Sequence, residues 1–107
     1  MKKRIYLLST LLPVLGFLFV PPALSAEADL VKAEKVYKRS CATCHGKQGE
    51  KPAMGESKII NQLKPEEIST ALSERKAGNI PSAGSPAKQR LSEQDIHNLS
   101  EYIQTLK

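Results

Sequence analysis

Beyond residue 26 this chain has no Trp and no Phe, and its only aromatic side chains are Tyr37 and Tyr102. That scarcity constrains the fold most. Phe17 and Phe19 fall in an N-terminal stretch with the layout of an export leader. Lys2, Lys3 and Arg4 form a basic start, and Ile5 to Val20 is a mainly apolar run of 16 residues. Pro21-Pro22 breaks any helix, and the small residues Ala23, Ser25, Ala26 and Ala28 follow. Cleavage after Ser25, Ala26 or Ala28 is compatible with this pattern. An uncleaved anchor is the alternative, but the run is short of the ~20 residues of a membrane span and contains Pro13 and Gly16. On either reading, residues 1–26 form the leader and residues 27–107 a single domain outside the cytoplasm. The remaining 81 of 107 residues bury too little apolar surface to be comfortably stable alone. Something besides protein side chains is expected to fill the core. The length also excludes a Rossmann enzyme, a barrel, a kinase and a multi-domain regulator.

Charge adds little. The chain has 16 Lys and Arg against 11 Asp and Glu, but three of the basic residues belong to the leader. The rest carries 13 basic and 11 acidic residues, interspersed, with no long basic run. A nucleic-acid partner is therefore not expected.

Three segments read as helices. The first spans 29–40, capped by Asp29, with Leu30, Ala33 and Val36 or Tyr37 on one face. The second spans 65–77. It has Pro65 at its first position, Glu66 and Glu67 at its positive end, and a stripe of Ile68, Ala71 and Leu72, with Gly78 closing it. The third spans 92–106. Ser92 and Asp95 form a near capping box, and Ile96, Leu99, Ile103 and Leu106 form its stripe beside Tyr102. No alternating strand pattern occurs. The Gly-, Pro- and Ser-rich stretches 46–55 and 78–90 read as loops. The expected fold class is all-α.

Cys41-Ala42-Thr43-Cys44-His45 holds the chain's only two cysteines. Two thiols three residues apart on one helical turn can each add to a vinyl group on one edge of a haem. The next residue, His45, can then offer its imidazole to the iron. This is the c-type haem attachment run, with a proximal His as axial iron ligand. A covalent haem also supplies the missing core. Three other chemistries remain open. One is a structural Cys41–Cys44 disulfide in an exported protein. Another is a thioredoxin-like pair, which lacks its usual βαβ surroundings. The third is zinc, for which His97 is the only further His or Cys.

With Tyr37 before it and Gly46 and Gly49 after it, the run resembles that of a small monohaem class I c-type cytochrome of the bacterial periplasm. Leu91-Ser-Glu-Gln-Asp-Ile96 and Leu99-Ser-Glu-Tyr-Ile103 resemble that family's last helix. The resemblance covers residues 27–107. It implies a fold of short helices in which the first and last cross and bring together the faces bearing Tyr37 and Tyr102. It implies one haem c, held covalently by Cys41 and Cys44. It also implies that the Pro52 carbonyl accepts from His45, a bond that fixes the tautomer and raises ligand basicity.

The chain departs from the family at the distal side of the iron. The family's second axial ligand is a Met in the loop before the last helix, and here the stretch 78–90 contains none. Met54 is the only Met beyond the leader. It is a candidate second axial ligand, or a packing residue of the kind Met often is. Lys88 and Asn79 are the remaining donors of the distal loop. His97 falls beside the last helix's stripe and reads as solvent-facing, and an open sixth position is the further alternative. The resemblance implies a periplasmic electron carrier, with redox proteins as transient partners. Lys47, Lys51 and Lys58 could steer an acidic partner. The chain is expected to be a monomer, without stable membrane insertion once the leader is removed. The alternative function is a haem protein that binds or senses NO or CO at an open sixth position. No distal His or Arg argues for an enzyme.

Overall fold

A computed structural model describes residues 27–55 and 57–107, together with Pro13 and Gly16. The leader expected over 1–26 otherwise lies outside the described residues. No described helix is long and apolar enough to cross a membrane. The described residues are all helical, with no strand. Five α-helices follow one another: α1 (Leu30–Ser40), α2 (Ala42–His45), α3 (Pro65–Lys76), α4 (Ser85–Gln89) and α5 (Glu93–Gln104). Single 3-10 turns lie at Ala53–Gly55 and Ile60–Gln62.

The ends of the long helices follow from local chemistry. The Asp29 side chain accepts from Lys32 N–H at 2.9 Å and caps α1. Glu67 reaches back to accept from Lys64 N–H at 2.8 Å, behind Pro65 in the first turn of α3. At α5 the box is reciprocal. Asp95 N–H donates to Ser92 Oγ and Ser92 N–H donates to the Asp95 carboxylate, each at 3.0 Å. Gly78, at φ +82°, ends the chain's run past α3 in a conformation that suits glycine.

Helix α1 crosses α5, and α3 packs on α5 from another side. The core is Ala33, Val36 and Tyr37 of α1, Ile68 of α3, Leu91, and Ile96, Leu99 and Ile103 of α5. The expected meeting of the two tyrosines is present, with ring centroids 5.6 Å apart and planes tilted by 54°. Such tilted pairs add about 0.5–1.5 kcal/mol beyond their burial. Asn98 is fully buried beside them. Its Oδ1 accepts from Asp29 N–H at 2.9 Å and from Gln94 Nε2 at 2.8 Å, tying the start of α1 to the middle of α5. Gln104 Nε2 donates to Leu63 O at 3.0 Å and holds the end of α5 to the segment before α3.

Two expectations need correction. Leu30 is 43 % exposed rather than part of the core face. It is the first residue of α1 and edges a shallow groove beside His97 and Glu101 of α5, which no element among the described residues covers. The stretch 78–90 is not wholly loop, because Ser85–Gln89 forms α4 and packs on α3. Pro86 is tolerated there because a helix's first turn needs no N–H from it.

Candidate functional site

The chain turns sharply at Cys41. This residue ends α1, its N–H donating to Tyr37 O at 2.8 Å, and at φ −120° it leaves the helical path. Helix α2 then restarts as a single turn. His45 N–H donates to Cys41 O at 3.0 Å and Gly46 N–H to Ala42 O at 2.8 Å. Cys41, Cys44 and His45 are thereby gathered on one turn set at an angle to α1.

The loop behind that turn is folded back on it. Tyr37 Oη donates to Gly46 O at 2.6 Å inside the protein. Burial, more than any other influence, pushes the Tyr37 phenol up to about 12. Gly46 has φ +86°, and a Cβ there would also collide with the Glu50 carboxylate. The Glu50 side chain can swing aside, so the positive φ is what favours glycine there. Lys51 N–H donates to His45 O at 3.0 Å, which draws Pro52 next to the histidine.

The thiols are not joined, so the disulfide alternative is not realised. Cys44 is exposed and Cys41 half-buried. Burial pushes the Cys41 thiol up to about 11, with the Lys88 charge acting against the rise and Cys44 adding to it. Among the described residues no three His, Cys, Asp or Glu side chains cluster as a metal site would require, so the zinc alternative has no ligand set. The absence of strands among the described residues likewise removes the βαβ setting of a thioredoxin-like pair.

His45 is the informative residue. Its Nδ1 is buried and has no hydrogen-bond partner. Burial, followed by the charges of Lys88 and Arg75, pulls its pKa below the ordinary histidine value. A neutral imidazole held this way is in the form that binds metal. The expected bond from His45 to Pro52 is not formed here. The Pro52 carbonyl instead accepts from Gly55 N–H at 3.0 Å, closing the turn Ala53–Gly55, although one of its lone pairs stays available.

The distal candidates are scattered. Met54 is 78 % exposed, on a turn that packs against α2, the element carrying His45. It therefore fills no gap among the protein's side chains, and it comes from the segment next to His45. Its backbone, at φ +54°, is in the left-handed region that costs a non-glycine residue about 1 kcal/mol. His97 is exposed on α5. Asn79 is exposed, and its Nδ2 donates to Glu74 Oε2 at 2.9 Å. Lys88 alone among them is half-buried, and its charge is felt at Cys41, Cys44 and His45.

A family model described as cytochrome c oxidase, cbb3-type, subunit III matches residues 28–103. The chain belongs to this cytochrome c family. It is 42% identical over 84 residues to a cytochrome c-553 of Helicobacter pylori strain ATCC 700392 / 26695, covering 77% of this chain and 86% of that protein. A cytochrome c-553 of Helicobacter pylori strain J99 is 43% identical over 75 residues, covering 68% of this chain and 77% of that protein. A cytochrome c-554(547) of Halothiobacillus neapolitanus is 34% identical over 91 residues, covering 74% of this chain and 98% of that protein.

The cofactor of such a cytochrome is covalently bound haem c, and the site suits it. Two free thiols lie one turn apart, the adjoining imidazole has a buried nitrogen without a partner, and Ile60, Leu63 and Leu72 remain only partly covered. Asn98 and Lys88 are the functional surroundings that sequence reasoning reached least well. Asn98 gave no signal, since a polar residue off the apolar stripe reads as exposed.

Proposed function

We propose that this chain is an exported, periplasmic electron carrier of the cytochrome c family. The observation that carries the reading is the turn Cys41–His45, where two unpaired thiols adjoin an imidazole with a buried nitrogen lacking a partner. Cys41 and Cys44 hold the haem edge through thioethers, and His45 is the proximal ligand. Once attached, haem c supplies an iron that alternates between ferric and ferrous states.

The chain's own part is positional. Helix α1 ends at Cys41, α2 carries Cys44 and His45, and the α1–α5 crossing fixes α1. The Tyr37–Gly46 bond fixes where the chain goes after His45. The Pro52 carbonyl, adjacent through the Lys51–His45 bond, can accept the Nδ1 proton on its spare lone pair and hold the ring in one tautomer. Lys47, Lys51 and Lys58 are exposed near the haem-bearing turn. They favour fast, weak encounters with an acidic redox partner over stable assembly. The chain acts as a monomer, freed from its leader at 25–28. Nothing in the family match or the relatives favours NO or CO binding as its purpose.

The test is a potentiometric titration of the exported, matured protein. A single reversible one-electron wave, together with recovery in the periplasmic fraction, supports the carrier. A haem that cannot be cycled without loss, or retention in the cytoplasm, contradicts it.

A further inference from the structure

We propose that a recess between the end of α1 and the α4–α5 junction docks an acidic side chain of the redox partner, held there by Arg39 and Arg90. The inference rests on the electron-carrier reading above and adds where the partner is gripped. The recess encloses about 390 Å³. Val36 of α1 and Leu91, which precedes α5, give it an apolar floor, and both belong to the buried core. Arg39 and Ser40 of α1 form one part of its polar wall, and Arg90 and Asp95 form the rest.

Both arginines stand on fixed backbone. Arg39 is in the last turn of α1, which the crossing with α5 holds. Arg90 caps α4, and the next residue is anchored twice, since the Leu91 side chain is buried and its carbonyl accepts from Lys76 Nζ of α3. The two side chains are exposed, and among the described residues neither guanidinium makes an ion pair. The carboxylate that shares the recess is already engaged. One Asp95 oxygen accepts from Ser92 N–H at 3.0 Å, and the other lies 3.3 Å from Lys32 Nζ, an ion pair without hydrogen-bond geometry. Lys32 thus offsets Asp95, and the charges of Arg39 and Arg90 remain uncompensated.

Two guanidiniums over an apolar floor define the chemistry of the occupant. A guanidinium is a planar fork that meets a carboxylate with two parallel bonds. The floor takes the methylenes of a Glu or Asp stem, and partial withdrawal from water strengthens the charged bonds. Lys47, Lys51 and Lys58 do not line this recess. They attract a partner from a distance, whereas the arginine pair acts on contact, and arginine is enriched among the residues that dominate interface energies. Cys41 follows Ser40 directly and packs on the buried cluster to which Val36 and Leu91 belong. A partner held in the recess is therefore held beside one of the two residues that carry the haem.

The deciding experiment is anaerobic stopped-flow reduction of the ferric, matured protein by reduced flavodoxin, used as an acidic redox protein. The anionic flavin hydroquinone gives one electron and becomes the neutral semiquinone, and the ferric haem becomes ferrous. Arg39→Gln with Arg90→Gln is compared with Lys47→Gln with Lys58→Gln, which removes the same charge. At low ionic strength the arginine pair should lower the second-order rate constant about tenfold and the lysine pair less than about threefold. Rates are compared at equal driving force, from the reduction potential of each variant. Arg39→Lys with Arg90→Lys keeps the charge but loses the fork, and its rate should fall between those of the natural chain and the glutamine pair. Equal losses for the arginine and lysine pairs, no loss for the arginine pair, or no reduction by flavodoxin of a haem that an electrode reduces would overturn the docking site and leave the carrier in place. Slowing by inorganic phosphate beyond that by chloride at the same ionic strength would make the recess a free-anion site and equally overturn it. A matured natural chain without haem, or with a haem that an electrode cannot reduce, would instead overturn the carrier reading itself.

Discussion

The two sides of this small domain are finished to different degrees. Where α1 crosses α5 the apolar interior is closely packed. Tyr37 and Tyr102 meet at 5.6 Å, Leu99 and Ala33 are each 1 % exposed, and Asn98 is buried with two donors on its oxygen. Around α2 and α4 the opposite holds. Two thiols are unjoined, and among the described residues a buried imidazole nitrogen has no partner and the half-buried Lys88 ammonium has no counter-ion. Neither side satisfies every buried polar atom, since Asn98 Nδ2 at the crossing and His45 Nδ1 at the turn both lack a partner among the described residues. The turn differs in placing two thiols beside an imidazole, the donor set of a haem attachment run. The unfinished side is finished by the cofactor. The two aromatics beyond residue 26 both lie at the crossing that must stand without it.

Breaking the contrast from the cofactor side has the largest effect. Cys41→Ser combined with Cys44→Ser should abolish covalent haem entirely. The haem-free precursor should change in stability by only about 0.5 kcal/mol, because exposed or half-buried thiols contribute little packing. Haem stain on a denaturing gel and urea unfolding of the precursor check the two halves of that statement. On the crossing side, Leu99→Ala should cost about 2–5 kcal/mol in holoprotein and precursor alike, read as a drop in urea midpoint. Equal effects of the two changes on the precursor would erase the distinction between the regions.

Tyr37→Phe tests the seam between them. It keeps the ring in the core but removes the shorter of two hydrogen bonds to the Gly46 carbonyl, leaving Gly49 N–H at 3.3 Å, at a cost of about 0.5–1.5 kcal/mol. The tilted contact with Tyr102 should persist. A change that leaves both stability and the haem spectrum intact would mean that the hydroxyl does not fix the chain after His45.

The smallest effect belongs to the start of α5. Ser92→Ala removes the hydroxyl that accepts from Asp95 N–H and should cost about 1 kcal/mol. The backbone N–H of Ser92 holds the Asp95 carboxyl below its ordinary 3.8, with the Ser92 hydroxyl and Lys32 helping against partial burial. A lowered carboxyl pKa gives stability that is complete above the unfolded value and lost as pH falls through the folded one. Acid unfolding of Asp95→Asn should therefore lack the part of the decline below about pH 4 that this group contributes.

What the sequence revealed, and what it hid, divides along the same line. The three long helices were legible because apolar spacing and caps agree. Asp29, Pro65, Gly78 and the Ser92–Asp95 box mark ends that the structure places within about two residues. The attachment run was legible because its chemistry is written in consecutive residues. Leu30 misled because a stripe does not reveal where the covering helix ends. Helix α4 was hidden by Pro86 and its Gly- and Ser-rich flank, which are loop signals unless the proline falls in a first turn. Asn98 was hidden because its burial depends on a contact across a long stretch of chain, the 69 residues between Asp29 and Asn98.

The central claim is that the unfinished side of the domain is completed by a haem joined to Cys41 and Cys44. Intact mass of the exported, matured protein, read with a pyridine haemochrome spectrum, tests it most directly. The account predicts the processed chain plus one haem, with the spectrum of a haem bound through two thioethers and no alkylatable thiol. A matured chain at the mass of the polypeptide alone, with Cys41 and Cys44 free or joined to each other, would contradict it.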